Sequence, residues 1–198
     1  MTAKKAVNAC RAAGLVIALV LAGGSHTIAA TVNKFETTQV LNDVPLILNG
    51  SGTRVNKVGA NKVYDVALYA QSKAKTVEEL IAMPGPKRLR FIALRDVPGT
   101  DFGLSFIKGM KANASPEQVQ RNATSSNRMV EIFSARPKLV AGDYFSIDYV
   151  PGKGTIFYLL DVQQGAPVGE SDFFEMVLKV WLGYAPVDPV LKEALLGK

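Results

Sequence analysis

One stretch, residues 48–70, constrains the fold more than any other part of the chain. An apolar run over residues 44–48 leads to Gly50-Ser51-Gly52, whose glycines predict a bend. Arg54 follows, and a second turn introduces an apolar strand that opens with Tyr64. The order predicts two neighbouring strands that bring one cation and one phenol into apolar surroundings. Such a pair is typical of a site for an acidic group, because arginine offers a planar fork of donors and tyrosine offers one more.

The first 30 residues have the pattern of a secretory signal peptide. Three cations precede an apolar run over residues 12–22, and small residues continue to Ala30. We predict cleavage after Ala29 or Ala30, export to a periplasm, and a single mature domain over residues 31–198. The apolar run is short for a membrane span, so we expect no stable span after cleavage. An uncleaved anchor is the alternative.

Cleavage would remove the only cysteine, Cys10, and the only histidine, His26. The mature domain would then lack the side chains for a disulfide, a Cys/His metal site or a Ser-His-Asp triad. Residues 1–30 also carry three of the 23 Lys and Arg residues and none of the 17 acids, so the formal charge falls from +6 to +3. The remaining cations are scattered, so we expect no nucleic-acid partner, and we expect no metal and no cofactor.

Strands and helices are clustered along the chain rather than alternating one for one. Predicted strands cover residues 37–48, 63–70, 87–94, the segment from Gly142-Asp143 to Val150, and residues 155–162. Predicted helices start at the capping residues Thr76, Ser115 and Asp172 and at Asp188-Pro189, and a further helix covers residues 100–111. The helix after Ser115 is predicted to continue unbroken to just before Pro137. We expect the basic strand over 87–94 to lie at a solvated sheet edge. The order favours an α+β fold with a mainly antiparallel sheet covered on one face by helices.

Three segments occur in an order that resembles the chalcone isomerase fold family, in particular its bacterial chalcone isomerase-like members. They are residues 48–54, residues 62–69, and residues 177–183 followed by Asp188-Pro189 and Leu191-Lys192. The resemblance extends over roughly residues 35–197. It implies an open-faced β-sandwich with a helical layer over the sheet and a ligand cleft between the two.

Chalcone isomerases close a ring by attack of a phenolate on an enone, and the resemblance shows which of their polar groups this chain keeps. Arg54 matches the family arginine that positions the nucleophilic oxygen. Tyr64 stands at the strand threonine, Phe102 and Gly109 stand at a helical tyrosine and asparagine, and Val180 stands at a C-terminal serine or threonine. Ring closure needs preorganised donors, and three of these changes remove one. The fatty-acid-binding members, which keep the arginine and a strand tyrosine, are the nearer resemblance.

We therefore predict a non-catalytic protein that binds a small acidic lipophile, with a fatty acid as the first candidate. Arg54 would hold the carboxylate through two hydrogen bonds, and Tyr64 would donate one more. The predicted apolar walls are Val66, Leu68, Phe102, Phe106, Val177 and Trp181.

Alternatives stay open for the site residues and for the whole protein. Arg54 could cap a carbonyl or pair with an acid of the chain, and Tyr64 could be a core residue bonded to a backbone carbonyl. The protein could be an intramolecular lyase of the chalcone-flavanone isomerase type. It could also be a structural or interaction protein whose own side chains fill the cleft. The sequence names no protein partner.

Overall fold

Nine strands and six helices make up the part of the chain that the computed structural model describes, residues 34–56 and 60–198. The strands are β1 (Thr38–Leu41), β2 (Val44–Val55), β3 (Lys62–Ala70), β4 (Lys87–Ala93), β5 (Val97–Pro98), β6 (Lys138–Leu139), β7 (Tyr144–Val150), β8 (Gly154–Leu159) and β9 (Val162–Gln163). The helices are α1 (Val77–Ala82), α2 (Gly99–Lys111), α3 (Pro116–Arg121), α4 (Ala123–Ser134), α5 (Ser171–Leu182) and α6 (Pro189–Leu195). The predicted signal peptide over residues 1–30 lies outside the described residues.

Seven strands form one antiparallel sheet in the order β1-β2-β3-β4-β7-β8-β9, and β5 pairs with β6 separately. Side chains of β3 alternate between the faces of the sheet. Tyr64, Val66 and Leu68 belong to the main core, which also contains residues of α2, α4, α5 and α6. Ala67 and Tyr69 belong to a smaller cluster on the opposite face. Helices therefore cover one face, which confirms the predicted open-faced α+β sandwich with an antiparallel sheet.

The single strand predicted over residues 37–48 is wrong, because the chain reverses within it. β1 and β2 form a hairpin connected by Asn42 and Asp43, whose φ angles are 51° and 60°. Two-residue hairpin turns require such positive φ angles, which Asn and Asp tolerate better than most residues. The turn signal was present in the sequence but lay inside an otherwise strand-like run.

The bend predicted around Gly50 and Gly52 is also wrong, because β2 continues through both glycines, with an irregularity in its pairing with β3 between Leu48 and Gly50. The glycines instead allow α6 to lie directly on the strand. A Cβ atom on Gly50 would lie 2.1 Å from the carbonyl oxygen of Ala194, and one on Gly52 would lie 2.9 Å from Cδ1 of Leu191. The absence of side chains at these positions brings the start of α6 next to the end of β2.

The one long helix predicted after Ser115 is divided at Asn122 into α3 and α4. The Asn122 side-chain amide donates to the carbonyl oxygen of Gln118 (2.9 Å) and to the Asp172 carboxylate (2.7 Å). Asp172 was predicted to cap α5. Its side chain instead connects α3 to α5. Glu170 occupies the N-cap position of α5 and makes no side-chain cap bond.

The basic strand β4 was predicted to lie at the sheet edge, and this prediction is wrong. The strand lies between β3 and β7. Arg88 on this strand donates from Nε (2.8 Å) and Nη2 (2.6 Å) to the two oxygens of Asp148, which is fully buried. The neighbouring Lys87 is buried as well, and its Nζ donates to the Met83 carbonyl at 2.6 Å. The alternation of basic and apolar residues thus belongs to a central strand whose cations pair with groups of the protein itself. Within residues 34–56 and 60–198, no helix combines the length and the hydrophobicity that crossing a membrane requires.

Candidate functional site

A cavity of about 290 Å³ lies between the helix-facing side of β3 and the helices α2 and α5. Its floor consists of four buried aromatic residues: Tyr64, Phe102, Phe106 and Trp181. Its walls and mouth are formed by Arg54, Asn56, Val63, Arg95, Val97, Pro98, Asp101, Ser105, Val180 and Val187. Arg95 and Asp101 are exposed, so the cavity opens to solvent on their side.

Arg54 lies directly opposite Tyr64 in the pairing of β2 with β3, which places both side chains on one face of the sheet. The Arg54 side chain is 19% exposed. Its Nη1 donates to the carbonyl oxygen of Val55 and lies 3.4 Å from Oδ2 of Asp188. Both contacts use Nη1, and no residue of the described ranges accepts a hydrogen bond from Nε or Nη2. Arg54 thus has an internal counter-ion, Asp188.

Asp188 connects this site to α6. Its Oδ1 accepts hydrogen bonds from the backbone N–H groups of Val190 (3.1 Å) and Leu191 (3.2 Å), so Asp188 is the N-cap of the helix that it was predicted to start. Its Oδ2 accepts from the backbone N–H of Val55 at 3.3 Å and faces Arg54. One carboxylate therefore caps α6 and fixes the end of β2 at the cavity.

Tyr64 is 8% exposed, and its hydroxyl oxygen accepts a hydrogen bond of 2.8 Å from Nε1 of Trp181. An indole N–H can only donate, so the Tyr64 hydroxyl proton must point elsewhere. No group within the described ranges accepts that proton. Burial raises the pKa of Tyr64 to about 12, against the opposing effects of the Trp181 hydrogen bond and the Arg54 charge. The hydroxyl is therefore a neutral donor available to a ligand at physiological pH.

The aromatic floor is built from edge-to-face contacts. The ring of Phe102 lies 5.9 Å from that of Tyr64 and 5.0 Å from that of Phe106, and Phe106 lies 5.3 Å from Trp181, all at steep interplanar angles. Phe102 and Phe106 share one face of α2 because they are four residues apart. Such ring pairs are mutually stabilising, so the floor is a packed surface. The donors of Arg54 and Tyr64 beside these rings suit a ligand with an acidic head and an apolar body.

Five of the eight predicted site residues line this cavity: Arg54, Tyr64, Phe102, Phe106 and Trp181. The remaining three, Val66, Leu68 and Val177, are fully buried in the main core and do not line the cavity. Val66 and Leu68 share the face of β3 that carries Tyr64, as the alternation of the strand predicts.

Four polar residues of the lining were missed by the sequence analysis: Asn56, Arg95, Asp101 and Ser105. Asp101 and Ser105 each precede one of the two phenylalanines on α2, so the same helical spacing could have found them. Arg95 lies in the link between β4 and β5, where no periodic pattern marks it. The lining in the described ranges holds two arginines and one aspartate, and no cluster of three potential metal ligands occurs anywhere in those ranges.

Comparisons with known proteins place this geometry in a family. A family model described as chalcone isomerase-like matches residues 28–197, which is most of the chain. A solved structure of a fatty-acid binding protein from Arabidopsis thaliana has a similar fold with a TM-score of 0.63. That match is 15% identical in sequence and covers 82% of this chain and 90% of that chain, so it carries the fold alone. No curated protein matched the sequence. By the extent of the family match, the chain belongs to the chalcone isomerase-like family.

Proposed function

We propose that this protein binds a small acidic lipophile, with a fatty acid as the first candidate, and that it does so without catalysis. The observation that carries the proposal is the position of Arg54 and Tyr64, which lie opposite each other on β2 and β3 and both line the same aromatic cavity. A carboxylate beside these two residues would meet donors of both, while the apolar part of the ligand would lie on the rings.

The donors of Arg54 and Tyr64 are suited to an anion. Arg54 offers Nε and Nη2, and Tyr64 offers a hydroxyl proton that Trp181 cannot accept. Hydrogen bonds from an ionised donor to a carboxylate are about twice as strong as neutral ones. Arg95 adds a second cation at the exposed mouth. The half-buried position of Arg54 limits screening by salt, so its attraction for a carboxylate would exceed that of a surface cation.

The fold of the Arabidopsis fatty-acid binding protein supports this proposal, since that protein shares the architecture that creates the cavity. At 15% identity, the two proteins share this architecture. The second candidate function is an intramolecular lyase of the chalcone isomerase type, which the family membership favours.

The lyase alternative requires donors that stabilise an enolate oxygen in the transition state. At the cavity, Phe102 and Val180 supply apolar surface instead, and Ser105 donates its hydroxyl to the Phe102 carbonyl at 2.6 Å. We therefore expect no turnover when a chalcone is added and its absorbance is followed. Turnover that Arg54→Ala abolishes would replace the binding proposal with the enzymatic one.

We further propose that the protein acts after export to a periplasm and removal of the first 29 or 30 residues. Support comes from the cationic and apolar pattern of this segment and from the family match, which begins at residue 28. The intact mass of protein recovered from the periplasm of a bacterial host tests this. A mass that lacks the segment is expected, and an unprocessed mass would overturn cleavage.

Binding can be measured through Trp181, which is the only tryptophan of the chain and lies in the cavity floor. We expect octanoate to change its emission saturably in the wild type. Arg54→Ala should weaken binding at least about tenfold, since hydrogen bonds to charged groups contribute about 1.5–3 kcal/mol.

The matched control is Arg128→Ala, which removes one cation from the exposed side of α4, where Arg128 pairs with Glu131. We expect this variant to bind octanoate like the wild type. Equal loss in both variants would indicate a general charge effect rather than a site. No saturable binding in the wild type would favour the structural or interaction role.

A further inference from the structure

We infer that the ligand of this cavity is a compact acid, a medium-length acyl or single-ring aryl carboxylate, and that a long acyl chain cannot be enclosed. This inference rests on the proposed carboxylate site and adds the size of the body that the site accepts. It follows from where the cavity ends, from what surrounds its floor, and from its volume.

The inner end of the cavity is closed by a direct contact between α2 and α5. Phe102 and Phe106 line the floor from α2, and Gly109 follows on the same face one turn further along. A Cβ atom on Gly109 would lie 2.8 Å from Cγ1 of Val180, so the two helices touch there. A ligand that runs along α2 from the mouth therefore meets a backbone-to-side-chain contact after two helical turns.

The floor is closed as well. Phe91 lies beyond the floor, with its ring 5.5 Å from Tyr64 and 5.2 Å from Trp181. Val66 and Leu68 of the same sheet face, and Val177 of α5, are fully buried without lining the cavity. The space between the sheet and the helices is thus filled by the side chains of the protein itself, and interiors packed to this density admit few voids.

The volume sets the size of the enclosed body. The cavity of about 290 Å³ lies at the lower end of the usual range for small-molecule sites, about 300–1,000 Å³, so it suits an acid with few non-hydrogen atoms. Octanoate and cinnamate are acids of about this size. Palmitate is far larger, so the end of its chain would stay in solvent at the mouth or would have to separate the aromatic rings.

A series of straight-chain acids tests the limit through the emission of Trp181 and through calorimetry. We expect the affinity of butanoate, hexanoate and octanoate to rise by about fourfold per added methylene, as each is buried. From decanoate to palmitate we expect no further rise. Cinnamate should bind with an affinity near that of octanoate.

Two variants locate the limit in the floor. Phe106→Leu replaces a floor ring with a smaller side chain, so the rise in affinity should continue to longer acids. If Phe106→Leu fails to fold, Phe102→Leu tests the same expectation. The matched control is Leu104→Ala on the same helix, because Leu104 is 52% exposed and does not line the cavity. We expect the control to keep the wild-type dependence on chain length.

The outcomes separate this inference from the proposed function. A break near octanoate that moves in Phe106→Leu or Phe102→Leu supports the compact acid. A steady rise up to palmitate overturns it and leaves the carboxylate site standing. No binding of any acid by the wild type overturns both. A break that moves only in Leu104→Ala places the ligand on the outer surface of α2 and overturns the inference.

Discussion

The indole N–H of Trp181 on α5 donates a buried hydrogen bond of 2.8 Å to the hydroxyl oxygen of Tyr64 on β3. The two residues are 117 positions apart in the chain, so the bond connects the helical layer to the sheet. It does so in the floor of the cavity, beside Arg54. The same bond therefore contributes to stability and directs the Tyr64 proton away from the indole.

Removal of the hydroxyl should reveal this bond as an energetic coupling. Tyr64→Phe leaves the indole N–H without its acceptor, so we expect the free energy of unfolding to fall by about 1–3 kcal/mol. Trp181→Phe should cost more, because it also leaves a void. In the double variant the loss should be smaller than the sum of the single losses by about 1 kcal/mol. Urea unfolding of all four proteins measures this, and strict additivity would contradict the coupling.

Alkaline pH should destabilise the fold through Tyr64. Its pKa is raised by burial from 10.0 to about 12 in the folded state. The folded protein therefore keeps a proton that the unfolded chain releases, and the stabilisation is complete below pH 10 and is lost as the pH rises through 12. Between pH 9 and pH 12 we expect the free energy of unfolding to fall by about 2 kcal/mol more in the wild type than in Tyr64→Phe. This difference corresponds to a pKa shift of about two units.

Tyr69 provides an internal control for that comparison. Burial also raises its pKa to about 12, but its hydroxyl donates to the Glu36 carbonyl and lies away from the cavity. Tyr64→Phe retains this second tyrosine, so the difference between the two proteins isolates Tyr64. Equal losses in wild type and variant would mean that Tyr64 does not titrate at a raised pKa.

Asp188 should compete with an acidic ligand for Arg54. Asp188→Asn removes the negative charge 3.4 Å from the guanidinium and keeps an efficient N-cap for α6. We therefore expect octanoate to bind about fivefold more tightly, since a half-buried pair is worth roughly 1 kcal/mol. Octanamide, which carries no charge, should bind the variant and the wild type equally. Weaker octanoate binding would instead show that the Asp188 charge holds Arg54 in its binding position.

Local signals in the sequence were sufficient for much of the fold. Thr76, Ser115 and Asp188 each cap the helix that they were predicted to start, because capping is a contact between residues three positions apart or fewer. Arg54 and Tyr64 could be paired from the order of two strands. The phenylalanines of α2 were found from their spacing, although only the structure shows that they form a floor.

The errors arose where a residue serves a partner distant in sequence. Gly50 was interpreted as a bend, whereas it makes room for Ala194 of α6. Arg88 was placed at a solvated edge, whereas its partner Asp148 lies 60 residues away on β7. A local sequence pattern indicates the backbone conformation that a residue favours. The roles of Gly50 and Arg88 depend instead on space and charge that distant parts of the chain provide.

Gly50 offers the sharpest test of how α6 is held in place. Gly50→Ala would put a Cβ atom 2.1 Å from a backbone carbonyl oxygen of α6, which no side-chain rotation can relieve. We expect a loss of about 3 kcal/mol in the free energy of unfolding, at the upper end of overpacking costs. Because α6 carries Asp188 at its start, its displacement should also change the affinity for octanoate.

Ser51→Ala, one position along β2, is the matched control and should leave both quantities near the wild type. Wild-type stability of Gly50→Ala would show that α6 is not seated on β2, and the internal counter-ion of Arg54 would then lose its structural basis.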